Sequence, residues 1–250
     1  MQADAELALH LSDQITFDAD AGFYGEQRQF QSRRHYILLI PKPNITLRFG
    51  RFFPAYGIMI PDHTAIARRI LGWDQNYESY NLETSFTWKY GELFLTGILG
   101  RGGEEQLTSE KGVSGRASIY LGKSSQIGVS GLLVRGETLR YSFGPFSLIG
   151  WTEKIYSLTQ LDFQFLDTGD IFQGYRKSTI GFNELGIELF KGFDFITQYE
   201  YYSDKETSNG IGVGFQWFPR PHFEILGTYT RRTVDFISTD TSILMLHYHL

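Results

Sequence analysis

Polar and apolar residues alternate with a period of two from one end of this chain to the other. Near the amino end, Ile15, Phe17, Ala19, Ala21 and Phe23 share one face, and Thr16, Asp18 and Asp20 share the other. At the carboxyl end, Leu244, Leu246, Tyr248 and Leu250 line one face. Successive side chains of a strand point to opposite sides of its sheet, so the alternation predicts β-strands with one apolar face. Short connections punctuate the pattern at Ser12–Gln14, Pro41–Asn44, Tyr90–Gly91, Gly122–Gln126, Trp151–Lys154, Phe190–Gly192 and Phe218–Pro221. The connections between them are mostly longer and more polar, at about 24–32, 52–77, 100–111, 166–178, 203–209 and 231–240; Arg135–Glu137 is the short exception. Repeated amphipathic strands with unequal turns predict a transmembrane β-barrel, its short turns in the periplasm and its long loops outside.

The 250 residues form one expected domain with a long inserted loop at 52–77. They give room for about 14–16 strands at roughly 16 residues per strand and turn. The pattern itself yields about fifteen. Bacterial single-chain barrels have an even number, so the expectation is sixteen, with one more strand preceding this sequence. Fourteen is the alternative, if a segment is split wrongly near Phe143–Trp151, where Gly144-Pro145 interrupts the alternation. Met1–Glu6 has neither the basic start nor the apolar core of a secretory signal, so the chain is expected to correspond to a mature or trimmed form.

Composition fits this reading. Hydrophobic residues make up 42% and mean hydropathy is -0.23, and no stretch approaches the ~20 apolar residues of a membrane helix. A barrel needs only every second strand residue to suit lipid. Trp88, Trp151 and Trp217 each sit beside a short turn, where they would mark the periplasmic headgroup level; Trp73 lies in the longest loop. There is no cysteine, which excludes a disulfide framework and thiolate metal sites. The net charge of -5 argues against nucleic acid as a partner.

Charge sorts by parity. Leu82, Phe86, Trp88, Val113, Ala117, Ile119, Phe195, Tyr199, Ile211, Val213 and Phe215 read as lipid-facing, and Asn81, Glu83, Ser85, Ser114, Arg116, Gln198 and Glu200 as lumenal. On comparable lumenal positions Asp18, Asp20, Glu83, Asp162, Glu188, Glu200 and Glu224 stand against Arg48 and Arg116. A wall of one sign enriches counter-ions, so these residues are expected to line a weakly cation-preferring pore. A barrel plugged by its own loops is the alternative.

The 52–77 loop carries the strongest local signals. Asp62 is a good helix N-cap and Gly72 a good C′ residue, predicting a short helix over Ala65–Leu71. Ile58, Ile60, Ile66, Ile70 and Leu71 are too apolar for a free surface loop. The loop is therefore expected to fold into the barrel as a constriction, with Arg51, Asp62, His63, Arg68 and Arg69 at the narrowing.

The final hairpin is nearly symmetric about Asp235–Phe236, which sets His222 opposite His249 and Glu224 opposite His247, with His10 near the same rim. These imidazoles are candidates for a metal or a protonation-sensitive gate, although a slip of one residue would break the pairing. Otherwise no cofactor is indicated. Enzyme motifs are thin: Ser208-Asn209-Gly210 is similar to the Ser-Asn-Gly of outer-membrane phospholipases, but no suitably placed His precedes it, and Asn-Gly is an ordinary turn pair. The expectation is a protein without catalytic activity.

Ile243–Leu250, with Tyr248 third from the end, resembles the signal read by the bacterial barrel-assembly machinery, departing from it by ending in Leu250 rather than Phe. Gly50-Arg51-Phe52-Phe53-Pro54-Ala55-Tyr56-Gly57, followed by Pro61-Asp62-His63-Thr64, resembles a segment of Gram-negative porin-like proteins. Some of those are similar to barrel partners of multihaem cytochromes. The resemblance implies an outer-membrane barrel that passes small polar solutes or ions, or one that sheathes a periplasmic or extracellular protein. Any haem would then come from that partner.

Overall fold

The computed structural model describes residues 3–24, 29–59, 65–72, 78–102, 109–167, 174–204, 207–234 and 237–248. The strands are β1 (Ala3–Ser12), β2 (Ile15–Tyr24), β3 (Gln29–Gln31), β4 (His35–Lys42), β5 (Ile45–Phe52), β6 (Ser79–Trp88), β7 (Gly91–Gly100), β8 (Lys111–Leu121) and β9 (Ser125–Arg135). They continue as β10 (Leu139–Gly150), β11 (Ile155–Asp167), β12 (Tyr175–Phe190), β13 (Phe193–Ser203), β14 (Thr207–Arg220), β15 (Phe223–Val234) and β16 (Ile237–Tyr248). Among the described residues one helix, α1 (Ile66–Ile70), lies between β5 and β6. Every strand pairs antiparallel with its neighbour in sequence, except that the short β3 folds back on β2 and the sheet continues from β2 to β4. Among the described residues the barrel path thus contains fifteen strands. β1 and β16 consequently run in the same direction, and among the described residues they share no ladder.

Parity explains the wall. On β6, Asn81, Glu83 and Ser85 are buried inward while Leu82 and Phe86 are exposed outward. The same holds on β8, where Ser114 and Ser118 are buried and Val113 and Ile119 exposed, and on β13, where Glu200 is buried and Tyr199 exposed. In water so many exposed large apolar side chains would be a liability; on a barrel they form the lipid-facing band. Leu95, midway along β7 and half exposed, tests this. Leu95→Arg should destabilise the membrane-inserted barrel by about 2–4 kcal/mol. Urea-dependent folding into lipid vesicles measures the loss, whereas an unchanged midpoint would mean this face does not contact lipid.

The sequence placed most boundaries correctly, and the departures have physical causes. β10 runs unbroken through Gly144-Pro145, keeping full register with β9 and losing only two pairs with β11. A proline there costs ladder hydrogen bonds on one side but does not end the strand. The expected long connection at 231–240 is also corrected: β15 extends to Val234 and β16 begins at Ile237. Polar cross-strand pairs carry that ladder beyond the apolar band, with Arg231 Nε donating to Asp240 at 3.0 Å and Thr233 and Ser238 hydroxyls 3.0 Å apart. Likewise β13 and β14 leave only residues 204–206 between them. Polarity marked where the strands leave the lipid, not where they stop.

Candidate functional site: a loop fastened across the lumen

The segment after β5 turns inward. Among the described residues the principal core lies inside the barrel: Phe53, Tyr56, Ala65, Ala67 and Leu71 of the loop pack on inward-facing Ile98, Leu132, Val134, Ile180 and Phe182. The loop starts at β5, and α1 reaches the inner faces of β12 and β13 on the far side of the wall. The predicted helix is present, shorter by a residue at each end, and Gly72 takes the left-handed φ of +76° expected after it.

Irregular backbone inside a barrel needs hydrogen-bond partners, because orphaned buried N–H and C=O groups are costly. Wall side chains supply them over residues 55–58. The Ala55 N–H donates to Glu83 Oε2 at 3.1 Å, and Ser114 Oγ donates to the Ala55 carbonyl at 3.1 Å. The Gly57 N–H donates to Ser130 Oγ at 2.8 Å, and Arg116 Nε donates to the Gly57 carbonyl at 2.9 Å. The Ile58 N–H donates to Gln160 Oε1 at 2.9 Å. The Tyr56 hydroxyl adds a side-chain latch, donating to Asp162 Oδ1 at 2.7 Å. Burial, followed by the adjacent Asp162 charge, pushes the Tyr56 phenol up from its ordinary range, so it stays a proton donor at any physiological pH. Further along, Arg140 Nη1 donates to the Leu71 carbonyl at 2.9 Å and Gln164 Nε2 to the Ile70 carbonyl at 3.3 Å. The fastening comes from β6 and β8–β11, and a void of about 30 Å³ lies beside Gly72, Leu132 and Arg140.

The predicted pore-lining charges face inward, mostly as pairs. Glu83 Oε1 accepts from Arg48 at 2.7 Å, and Arg48 also lies 3.8 Å over the Phe52 ring. Arg116 pairs with Glu92. Glu200 takes both arms of Arg232, at 2.7 and 3.1 Å. Asp20 accepts the Arg33 and Arg34 backbone N–H groups and the Arg34 Nε at 2.7 Å, drawing residues 32–34 over the wall. Asp18 is buried, with one carboxylate oxygen lacking a hydrogen-bond partner among the described residues. Glu188 lies near the short-turn end, where it accepts from the Gly192 N–H at 3.1 Å.

Several of these partners are missing from the sequence reading. Arg140 and Arg232 also occupy lumenal positions, so the wall is less one-signed than counted from Arg48 and Arg116 alone. Arg232 sits in the stretch read as loop, and Arg140 just before the Phe143–Trp151 segment, whose division the alternation leaves open. Ser114, Ser130 and Gln160 gave no signal as loop clamps.

In the constriction set, Arg51 donates to the Glu78 carbonyl at 3.3 Å, and Arg68 lies 5.3 Å from the Phe53 ring centroid. Asp62, His63 and the side chain of Arg69 lie outside the described residues. The final hairpin register is as expected at Glu224 and His247, joined at 2.9 Å between Oε2 and Nδ1. His222 is different: it sits in the β14–β15 turn at a φ of +68°, off the ladder. His249 lies outside the described residues, and among those described no group of His, Asp and Glu is arranged to hold a metal.

No protein-family profile matches the chain, and no curated protein sequence matches it. Solved structures do. An anion-selective porin from Comamonas acidovorans superposes with a TM-score of 0.74 at 11% identity, over 99% of this chain and 89% of the porin. The chain has the fold of an outer-membrane porin. A loop-deletion mutant of OmpT, an outer membrane protein of Vibrio cholerae, gives 0.72 at 9% identity over 99% and 90% of the two chains. OpdK of Pseudomonas aeruginosa, solved with vanillate, gives 0.60 at 10% identity over 98% and 78%. For this porin-like chain, such distant likeness establishes the architecture and leaves the passage to be argued from its own residues.

Proposed function

We propose that the protein is a non-catalytic channel of the bacterial outer membrane, through which small polar solutes and ions diffuse, weakly favouring cations. The lumenal loop is the observation that carries this reading. It docks along β6 and β8–β12 and touches β13, so it narrows the bore to the side running from β13 through β16 and β1 to β5 and sets a size limit. Gly210, Gly212 and Gly214, on the inward face of β14, put no side chains into that half. A loop fastened across the bore also weighs against a sleeve for another protein chain, cytochrome or otherwise.

Charge along the remaining half sets the ion preference. Glu6, Asp18, Asp20, Asp194, Glu200 and Glu224 outnumber Arg34, Arg48 and Arg232 there. The Comamonas porin is described as anion-selective, so the fold leaves the sign open and the wall decides it. Planar-bilayer recording under a potassium chloride gradient tests the proposal. The expected result is stable conductance with a reversal potential on the potassium side, moved toward zero by Glu6→Gln. Absence of conductance from folded protein, or a chloride-side potential, overturns it.

A further inference from the structure

The outer surface of the barrel is not uniform. Over β8–β11 it sinks into an apolar depression of about 810 Å³ floored by Ala117, Val129 and Pro145 and flanked by Ile119, Ile127 and Leu161, with Trp88 at its short-turn end. Toward the opposite rim it continues over Gly115 and Gly131. Its cause is local. Small residues replace the bulky outward side chains found elsewhere, and Pro145, lacking an N–H, interrupts the β10–β11 ladder between the pairs Phe143–Phe163 and Phe146–Gln160. Within the lipid band, an elongated apolar trough of this kind matches an acyl chain.

The rim beneath it is distinctive too. Six of the seven short turns carry one base each, at or beside the turn: Lys42, Lys89, Lys123, Lys154, Lys191 and Arg220, against Asp13, Glu153 and Glu92, the last of these paired with Arg116. All six bases are exposed, and none makes an ion pair with a described residue. The loops at the other end carry both signs. A chain with a net charge of -5 thus presents a cationic ring at one end, and Lys89, Lys123 and Lys154 stand over the trough.

We infer that this trough and its three lysines form a binding site for an anionic phospholipid of the periplasmic leaflet. One acyl chain lies along Ala117, Val129 and Pro145 under Trp88, and the headgroup phosphate meets the lysines. Long lysine stems reach from the turn to the phosphate level while keeping their ammonium groups in water. The charge complementarity selects the headgroup, and the trough selects the place on the ring.

Native mass spectrometry of the folded protein in detergent, titrated with phosphatidylglycerol or phosphatidylethanolamine of equal chain length, tests the site. The expected result is tighter retention of one phosphatidylglycerol, by roughly fivefold or more. Lys89→Gln/Lys123→Gln/Lys154→Gln should abolish that preference, and Ala117→Trp, which fills the trough without changing charge, should do the same. Lys42→Gln/Lys191→Gln/Arg220→Gln, elsewhere on the ring, should leave it intact. Equal retention of the two lipids by the unaltered protein overturns the proposal, as does equal loss from the two triple variants or no loss from Ala117→Trp. Heat-modifiable gel mobility confirms that each variant is folded.

Discussion

Gly57→Val is expected to release the lumenal loop and enlarge the pore. Gly57 has a φ of +55°, and a Cβ there would lie 2.1 Å from Gln160 Oε1. A β-branched residue in the left-handed region costs of order 1–3 kcal/mol. Gln160 could swing aside only by giving up its bonds to the Ile58 N–H and to Asp162. The Ser130 and Arg116 bonds at Gly57 are the next to loosen. The barrel ladder lies outside this change and should survive. Single-channel conductance should rise roughly twofold or more, because pore cross-section limits passive flow, and should become noisier as the loop exchanges between docked and free positions. A variant that folds and conducts like the parent would show that the loop is held by its apolar packing alone and that the main-chain clamp is dispensable.

Glu83→Leu is expected to be the most destabilising single change on the lumenal wall. Glu83 is 4% exposed and joins three things: the Arg48 guanidinium, the Ala55 N–H of the loop, and Thr96, whose hydroxyl donates at 2.7 Å. Arg48 is itself mostly enclosed, and its Nε has no hydrogen-bond partner among the described residues. Removing one member of a mostly buried pair strands the other charge, at a cost of about 3–5 kcal/mol; partial exposure of Arg48 puts the expected loss near the lower figure. Arg48→Met/Glu83→Leu should recover much of it, since neither charge is then left alone. Denaturant unfolding of the four members of this cycle measures the coupling. Additive losses would mean that the pair contributes nothing and that Glu83 matters only as an acceptor for the loop. The freed arginine should also move the reversal potential of Glu83→Leu toward chloride, a change absent from the double variant.

The interior apolar patch explains how the loop escaped detailed prediction. Leu132, Leu133 and Val134 on β9 are apolar in succession, with Leu133 exposed to the outside and the other two buried inside. Ile98, Ile180 and Phe182 break parity in the same way on β7 and β12. A strand apolar on both faces must be covered on both. That signal was present, although which segment covers the patch depends on residues far apart in the chain. The same holds for charge. Parity brought Arg48 and Glu83 to one face, but the pairing of Arg140 with Glu110 joins a strand to a loop, and that of Arg33 with Glu78 joins two connecting segments.

The alternating strands, the two kinds of turn, the sorting of lipid-facing from lumenal residues and the helix in the long loop were all legible in the sequence. Each follows from local rules, namely the period of two, turn chemistry and the cost of charge in lipid. Where the loop docks, which carboxylates meet which arginines, how far the strands project and where the outer wall thins into a trough emerge only from the folded barrel. Those depend on barrel curvature and on contacts across the lumen, which bring together residues on opposite walls that no local pattern relates.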